Sequence, residues 1–426
     1  MKRPEQRQLA AIRLGLVPAL LAATFFLLAF APQPANAQSF QVLYNFTGGQ
    51  DGAGPVDGLT IDRGGNLYGT ASAGGIQVPG CNDSSWGFTG CGSVFELQRH
   101  GASWIMKPLY DFQGGYDSGN PGQGVTIGPE GALYGLTNGV GGCSDYNACG
   151  NVFRLQPPPT FCASAMCPWR ETILHQFSGQ PDGSLPTSRV LFDSVGNMYG
   201  ATVYGGTANQ GAAYELSPGS GGWTESVIFS FDQGAGVTLP AGNMAIDPDA
   251  NLYGAAYGGG IGCCYGAVFQ LQRSQSGWGL NQLYHFNGDD GYAPIGVYRD
   301  PSGNIFGTST GDGGNQSANI YELSPANGGW NYSLVFNFQV GHTDASGLVM
   351  DSAGNLYGCE SELGDGYIFK LTPSGSGWTF TTLHTFSGSD GSGAVGQIVI
   401  DSDGNLYGTT VRGGLYGFGV IWEITP

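Results

Sequence analysis

The 426-residue chain carries 14 Lys and Arg against 32 Asp and Glu, a formal charge of −18, and 77 of its residues are glycine. A chain this acidic is repelled by duplex phosphate and by anionic membrane surfaces, which argues against nucleic acid and peripheral membrane partners. Aromatic residues make up 12% and charged residues only 11%, the reverse of a disordered composition, so Gly-rich turns between aromatic segments point to a folded all-β protein.

Residues 1–37 read as a secretory signal peptide. Lys2, Arg3, Arg7 and Arg13 form a basic start, Leu14 to Phe30 is an apolar run broken by Pro18, and Ala35-Asn36-Ala37 is a small-x-small cleavage site. An uncleaved anchor is the alternative, for which the run is short. Cleavage before Gln38 removes four basic and one acidic residue and leaves a formal charge of −21. No second apolar run follows, so no membrane insertion is expected after cleavage. The expected location is extracellular or periplasmic.

From residue 40 onward the chain repeats. An Asn-Leu-Tyr-Gly landmark, or its nearest equivalent, begins at 66, 132, 197, 251, 304, 355 and 405. Periods of 50 to 66 residues mean propellers, solenoids or arrays. Each unit holds four short apolar runs, taken here from different units. Gly58 to Asp62 and Asn405 to Thr410 represent the first two, joined by an Asp-x-x-Gly-Asn turn that supplies an Asx bond and a glycine. Val94 to Leu97 represents the third, and a run from Trp to Phe, as in Trp223 to Phe231, the fourth. Four antiparallel strands per unit make a propeller blade. The last unit ends at Pro426 without its fourth run, and Phe40 to Phe46 matches the missing piece. The expected fold is therefore one domain, residues 38–426, a seven-bladed β-propeller of four-stranded antiparallel blades whose N-terminal strand closes the last blade.

Nine cysteines in an exported chain suggest disulfides. Local pairs are expected for Cys81 with Cys91, Cys143 with Cys149, and Cys162 with Cys167. Adjacent Cys263 and Cys264 suit a strained vicinal bridge or another pairing, and Cys359 stands alone.

The succession Leu-Tyr-x-Phe, Asp-Gly, Asp-x-x-Gly-Asn-Leu-Tyr-Gly-Thr-Thr, Gly-Gly, Val-Phe-Glu-Leu across residues 40–426 resembles the bacterial GloVer tandem-repeat family of exported, choice-of-anchor proteins. It is more distantly similar to NHL-type β-propellers. The resemblance implies export, often with a C-terminal sorting signal. No such signal precedes Pro426, so a soluble secreted protein, and a monomer, is expected. The resemblance brings no activity and no catalytic residue.

In a propeller the connection leading from one blade to the next shares a face with the connection between second and third strands. Most units place an Asp in the first of these: Asp51, Asp117, Asp182, Asp290, Asp344 and Asp390. Converging carboxylates would suit calcium; the alternative is that each bonds its own turn. No other cofactor is expected. Aromatic residues within the Cys-bearing inserts, Trp86, Phe88, Tyr146 and Tyr265, make a plausible surface for a glycan or an extracellular protein. His175, His384 and His285 hold repeat-register positions and read as structural. No nucleophile elbow or phosphate loop is present. Three function classes remain: a non-enzymatic binding propeller, a lyase or glycoside hydrolase using Asp and Glu (Glu360 and Glu362 among them) at the channel mouth, and a structural envelope or matrix protein.

Overall fold

The Asp-x-x-Gly-Asn turn is assembled by its own side chains. Asp401 Oδ1 accepts the backbone N–H groups of Asp403 and Asn405 at 2.9 Å each, and Oδ2 accepts Asn405 Nδ2 at 2.8 Å and the Tyr407 hydroxyl at 2.9 Å. The phenol bond recurs from Tyr68 to Asp62, Tyr199 to Asp193, Tyr253 to Asp247 and Tyr357 to Asp351, at 3.2, 3.1, 3.0 and 2.9 Å. The landmark tyrosine thus buries its ring in the sheet and closes the turn with its hydroxyl. At Asp300 the asparagine bonds persist but Phe306 replaces the tyrosine. Burial works against ionisation of Asp193, Asp351 and Asp401. The asparagine and tyrosine donors outweigh it and hold all three below the usual carboxylate range.

The structure is a computed structural model describing residues 38–78, 81–83, 87–139, 149–159, 168–259, 265–310, 317–339, 345–361, 365–375 and 377–425. Each turn joins an inner strand to a second strand, and a third and an outer strand follow, all antiparallel. Ala53–Ile61, Leu67–Ala73, Ser93–His100 and Ser103–Asp111 lie side by side in that order. The sets beginning at Val125–Ile127, Val237–Ile246, Tyr292–Arg299 and Ala345–Met350 repeat it. In one set the inner strand is split, and Ser184–Pro186 and Leu191–Phe192 both pair with Met198–Tyr204. No α-helix occurs among the described residues, and none of their helices is long and apolar enough to cross a membrane.

The last set, Ser392–Ile400, Leu406–Arg412 and Val420–Thr425, is completed by Ser39–Asn45 from the other end of the chain. The Phe46 N–H donates to Gly419 O at 3.0 Å, the Leu415 N–H to Asn45 Oδ1 at 2.8 Å, and Gln41 Nε2 to Glu423. Phe40 stacks on His384 with ring centroids 3.5 Å apart. This pairing covers a backbone edge that would otherwise stand open.

Neighbouring sets meet through aromatic rings. The Phe that ends one outer strand packs against the third-strand ring of the next set: Phe112 on Phe153, Phe177 on Tyr214, Phe231 on Phe269, Phe286 on Tyr321, Phe338 on Phe369 and Phe386 on Trp422, with centroids 5.1 to 6.4 Å apart. Phe46 makes the same contact with Phe95 at 5.2 Å. The glycine after each landmark tyrosine makes room for these rings. A Cβ on Gly69 would lie 2.6 Å from the Phe95 ring, and one on Gly408 would collide with the Trp422 indole. At the centre the inner strands of the first and last sets touch through a parallel bridge between Gly58 and Gln397.

Candidate functional site

The rim aspartates are each held by the outer strand that precedes them. Asp51 accepts from the Tyr44 hydroxyl at 2.9 Å and the Thr47 N–H at 2.7 Å. Asp117 accepts from the Tyr110 hydroxyl at 2.8 Å and the Gln113 N–H at 3.0 Å. Asp290 accepts from the Tyr284 hydroxyl and, at 2.9 Å, the Asn287 N–H. In the other two, histidine replaces tyrosine: His175 Nε2 lies 3.1 Å from Asp182, and His384 Nε2 2.9 Å from Asp390. This explains why Tyr and His alternate at one register position, since either ring presents a donor to the carboxylate. Burial, only partly offset by Asp182, lowers the His175 pKa. Asp390 is held below the usual range by Ser387 and His384 despite burial. Of the two readings of the six carboxylates, converging on a cation or bonding locally, five make the local bonds, and Asp344 lies outside the described residues. Among the described residues no group of three or more His, Cys, Asp or Glu could hold a metal ion.

Of the expected disulfides, Cys81–Cys91 is formed, and it is buried. Cys149 is disulfide-bonded. Cys143, Cys162, Cys167, Cys263 and Cys264 lie outside the described residues, as do Trp86 and Tyr146. Cys359 is free and buried, and burial pushes its thiol up to about 12. Phe88 packs on Phe418 across the seam between the first and last sets, with centroids 5.7 Å apart. Tyr265 is exposed. Of the nine exposed large apolar side chains among the described residues, six belong to one class of segment, the end of a second strand or the loop after it: Ile76, Tyr204, Tyr257, Tyr265, Leu415 and Tyr416.

A cavity lies elsewhere. It has a volume of about 670 Å³ and is lined by the inner strands. In the longer inner strands the lining begins near mid-strand and runs towards the Asp-x-x-Gly-Asn turns, so the cavity occupies the half of the centre away from the rim. At the end nearer the rim an ion pair crosses between sets. Arg189 Nε donates to Asp57 Oδ2 at 2.8 Å, Nη2 donates to Asp57 O, and Nη1 donates to Leu59 O at 3.0 Å and Thr60 Oγ1 at 3.1 Å. The Arg189 N–H in turn donates to Asn243 Oδ1 at 2.9 Å. Burial raises the Asp57 pKa, and Arg189 works against that rise. Sequence reasoning missed this pair. The available signal was a break in register: four residues before the turn Asp, where Arg189 stands, four units carry Gly58, Gly124, Gly296 and Gly347 and two carry the neutral Asn243 and Gln397.

Two more carboxylates went unnoticed. Two residues after the outer-strand Trp, other units carry Met106, Leu280, Tyr332 and Phe380, whereas two units carry Glu171 and Glu225. Burial, with Asp117 nearby, pushes Glu171 up to about 7; burial, with Asp182 nearby, does the same to Glu225. One oxygen of each is buried without a hydrogen-bond partner.

The profile of the Gloeobacter/Verrucomicrobia repeat matches residues 164–365. Over those residues, just under half of the chain, the sequence is similar to that repeat. The same turn bonds at Asp62 and Asp401 lie on either side of the matched stretch. No curated protein matches the sequence. Among solved structures, a Lactobacillus plantarum protein is 13% identical, with 85% of this repeat chain and 100% of that chain covered at a TM-score of 0.49. The PQQ-bound aldose sugar dehydrogenase of Streptomyces coelicolor is 14% identical, with 92% and 99% covered at 0.44. The gluconolactonase XC5397 of Xanthomonas campestris is 14% identical, with 60% and 74% covered at 0.36.

Proposed function

We propose that the protein is an exported, closed seven-bladed β-propeller that binds a neutral glycan, without catalysis, through the rim built from the loops between second and third strands. Closure is supported by the Phe-on-aromatic seam that recurs from set to set and returns through Phe46 and Phe95. Export is supported by the Cys81–Cys91 disulfide together with the basic-apolar start of the chain.

The observation that carries the binding reading is the gathering of exposed Tyr204, Tyr257, Tyr265 and Tyr416 in one class of segment. Tyrosine offers a broad face at low entropic cost and a hydroxyl at its tip, which suits sugar rings. The strongly negative chain disfavours a polyanionic glycan. The hydrolase alternative needs two carboxylates flanking one substrate. At the rim, Asp51, Asp117, Asp182, Asp290 and Asp390 bond their own outer strands, and Asp57, the one carboxylate among the described residues lining the cavity, is committed to Arg189.

The test is retention of the purified protein on immobilised neutral polysaccharides, compared with a Tyr257→Ala/Tyr265→Ala/Tyr416→Ala variant. We expect retention by the parent and at least a tenfold weaker interaction in the variant at an unchanged melting temperature. Equal retention of both, or of neither across a broad glycan panel, refutes the reading.

A further inference from the structure

The central cavity is independent of the rim, and its chemistry differs. Its volume of about 670 Å³ falls within the range of small-molecule sites. Ile61, Ile127, Leu191, Phe192, Tyr298 and Val399 are among the residues of its apolar wall. Its charged groups are the mutually engaged Asp57 and Arg189, and Arg299, whose Nε is buried without a hydrogen-bond partner. The Arg189 guanidinium is spent on Asp57, Leu59 and Thr60, and that of Arg299 lies 5.4 Å over the Tyr253 ring. The threonine hydroxyls are spent too, for Thr60 donates to Val125 O and Thr126 to Val190 O at 2.9 Å.

The end nearer the rim is tight. Glycines from neighbouring inner strands meet there backbone to backbone: a Cβ on Gly242 would lie 2.6 Å from the Gly296 nitrogen, and Gly58 has no room against Gln397. Arg189 completes this throat, with its guanidinium against Gly124. A molecule entering from the turn side therefore meets an apolar wall, a narrowed end and, besides the Asp57–Arg189 pair, the Arg299 guanidinium.

We propose that this cavity is a binding site for one small, uncharged, predominantly apolar molecule, entered from the face that carries the Asp-x-x-Gly-Asn turns. Water gains little in such a space, because the lining hydroxyls and the ion pair are already satisfied. An apolar ligand removes both its own surface and the wall from water. With Asp57 neutralised by Arg189, Arg299 disfavours a cation and the chain's formal charge of −18 disfavours an anion, so the site discriminates by charge as well as by size.

The experiment uses the full protein and a neutral fluorescent probe, N-phenyl-1-naphthylamine, with the anionic 8-anilinonaphthalene-1-sulfonate as contrast. The expected result is saturable one-to-one enhancement with the neutral probe and at least tenfold weaker binding of the anionic one. Ala245→Phe and Val399→Phe, which each fill the cavity from a different inner strand, should each weaken neutral-probe binding at least tenfold. Either variant alone serves if the other fails to fold. The rim triple variant should bind the probe as the parent does, which separates this site from the glycan reading. A parent that gives no saturable signal shows a water-filled centre only and overturns the proposal. So do folded filled variants that bind like the parent, and so does equal binding of both probes.

Discussion

Replacing Arg189 with alanine should destabilise the protein more than any other single surface-to-core truncation of its size. The side chain is 9% exposed and satisfies four acceptor contacts on Asp57, Leu59 and Thr60. Its loss leaves the buried Asp57 carboxylate without its counter-charge, a change that costs about 3–5 kcal/mol when one partner of a buried pair is removed. The pair itself is worth much less than that, because both ions were taken out of water to form it. A double variant, Asp57→Asn/Arg189→Met, should therefore recover most of the loss. Asparagine also tolerates the left-handed backbone at residue 57, where φ is 62°. The assay is urea unfolding followed by tryptophan fluorescence, read as a midpoint shift at constant slope. The deficit of Arg189→Ala should shrink in acid. Asp57 already has a raised pKa, and without Arg189 it rises further. A group raised in the folded state stabilises below its unfolded pKa and loses that contribution as pH climbs through the folded value. A single variant within about 0.5 kcal/mol of the parent, or a double variant no better than the single, would refute the buried-charge argument.

The two outer-strand glutamates predict a pH dependence of the same sign. Glu171 and Glu225 titrate near about 7 in the fold and in the ordinary carboxylate range when unfolded, so stability should fall as pH rises from about 4.5 to about 7. Glu171→Gln/Glu225→Gln should flatten the melting-temperature profile across that window, and an unchanged slope would show that the groups do not titrate there. At the repeat turn, Asp401→Ala removes the acceptor for Asn405 and Tyr407 and leaves a phenol short of a partner, at a cost of about 1–3 kcal/mol. Tyr407 also donates to Glu423 at 3.0 Å, so the loss should sit at the lower end, and hydrogen exchange should quicken in Leu406–Arg412.

The sequence alone was enough for the repeat, the order of strands within it and the docking of the first strand beside the last. Each of these rests on local chemistry written many times over. Asp-x-x-Gly-Asn can close only one kind of turn, a glycine beneath a facing aromatic ring is required wherever two strands approach so closely, and a unit lacking its fourth strand needs one from elsewhere. What only the tertiary structure decided lies between units. Five rim aspartates looked alike as a potential ring of ligands, yet each bonds its own outer strand through a Tyr or His six or seven residues earlier. Arg189 and Asp57 are 132 positions apart and belong to different units, so no local pattern joins them. Repetition makes local contacts legible many times over, whereas a contact made once, across the centre, exists only where the fold has already brought distant strands together.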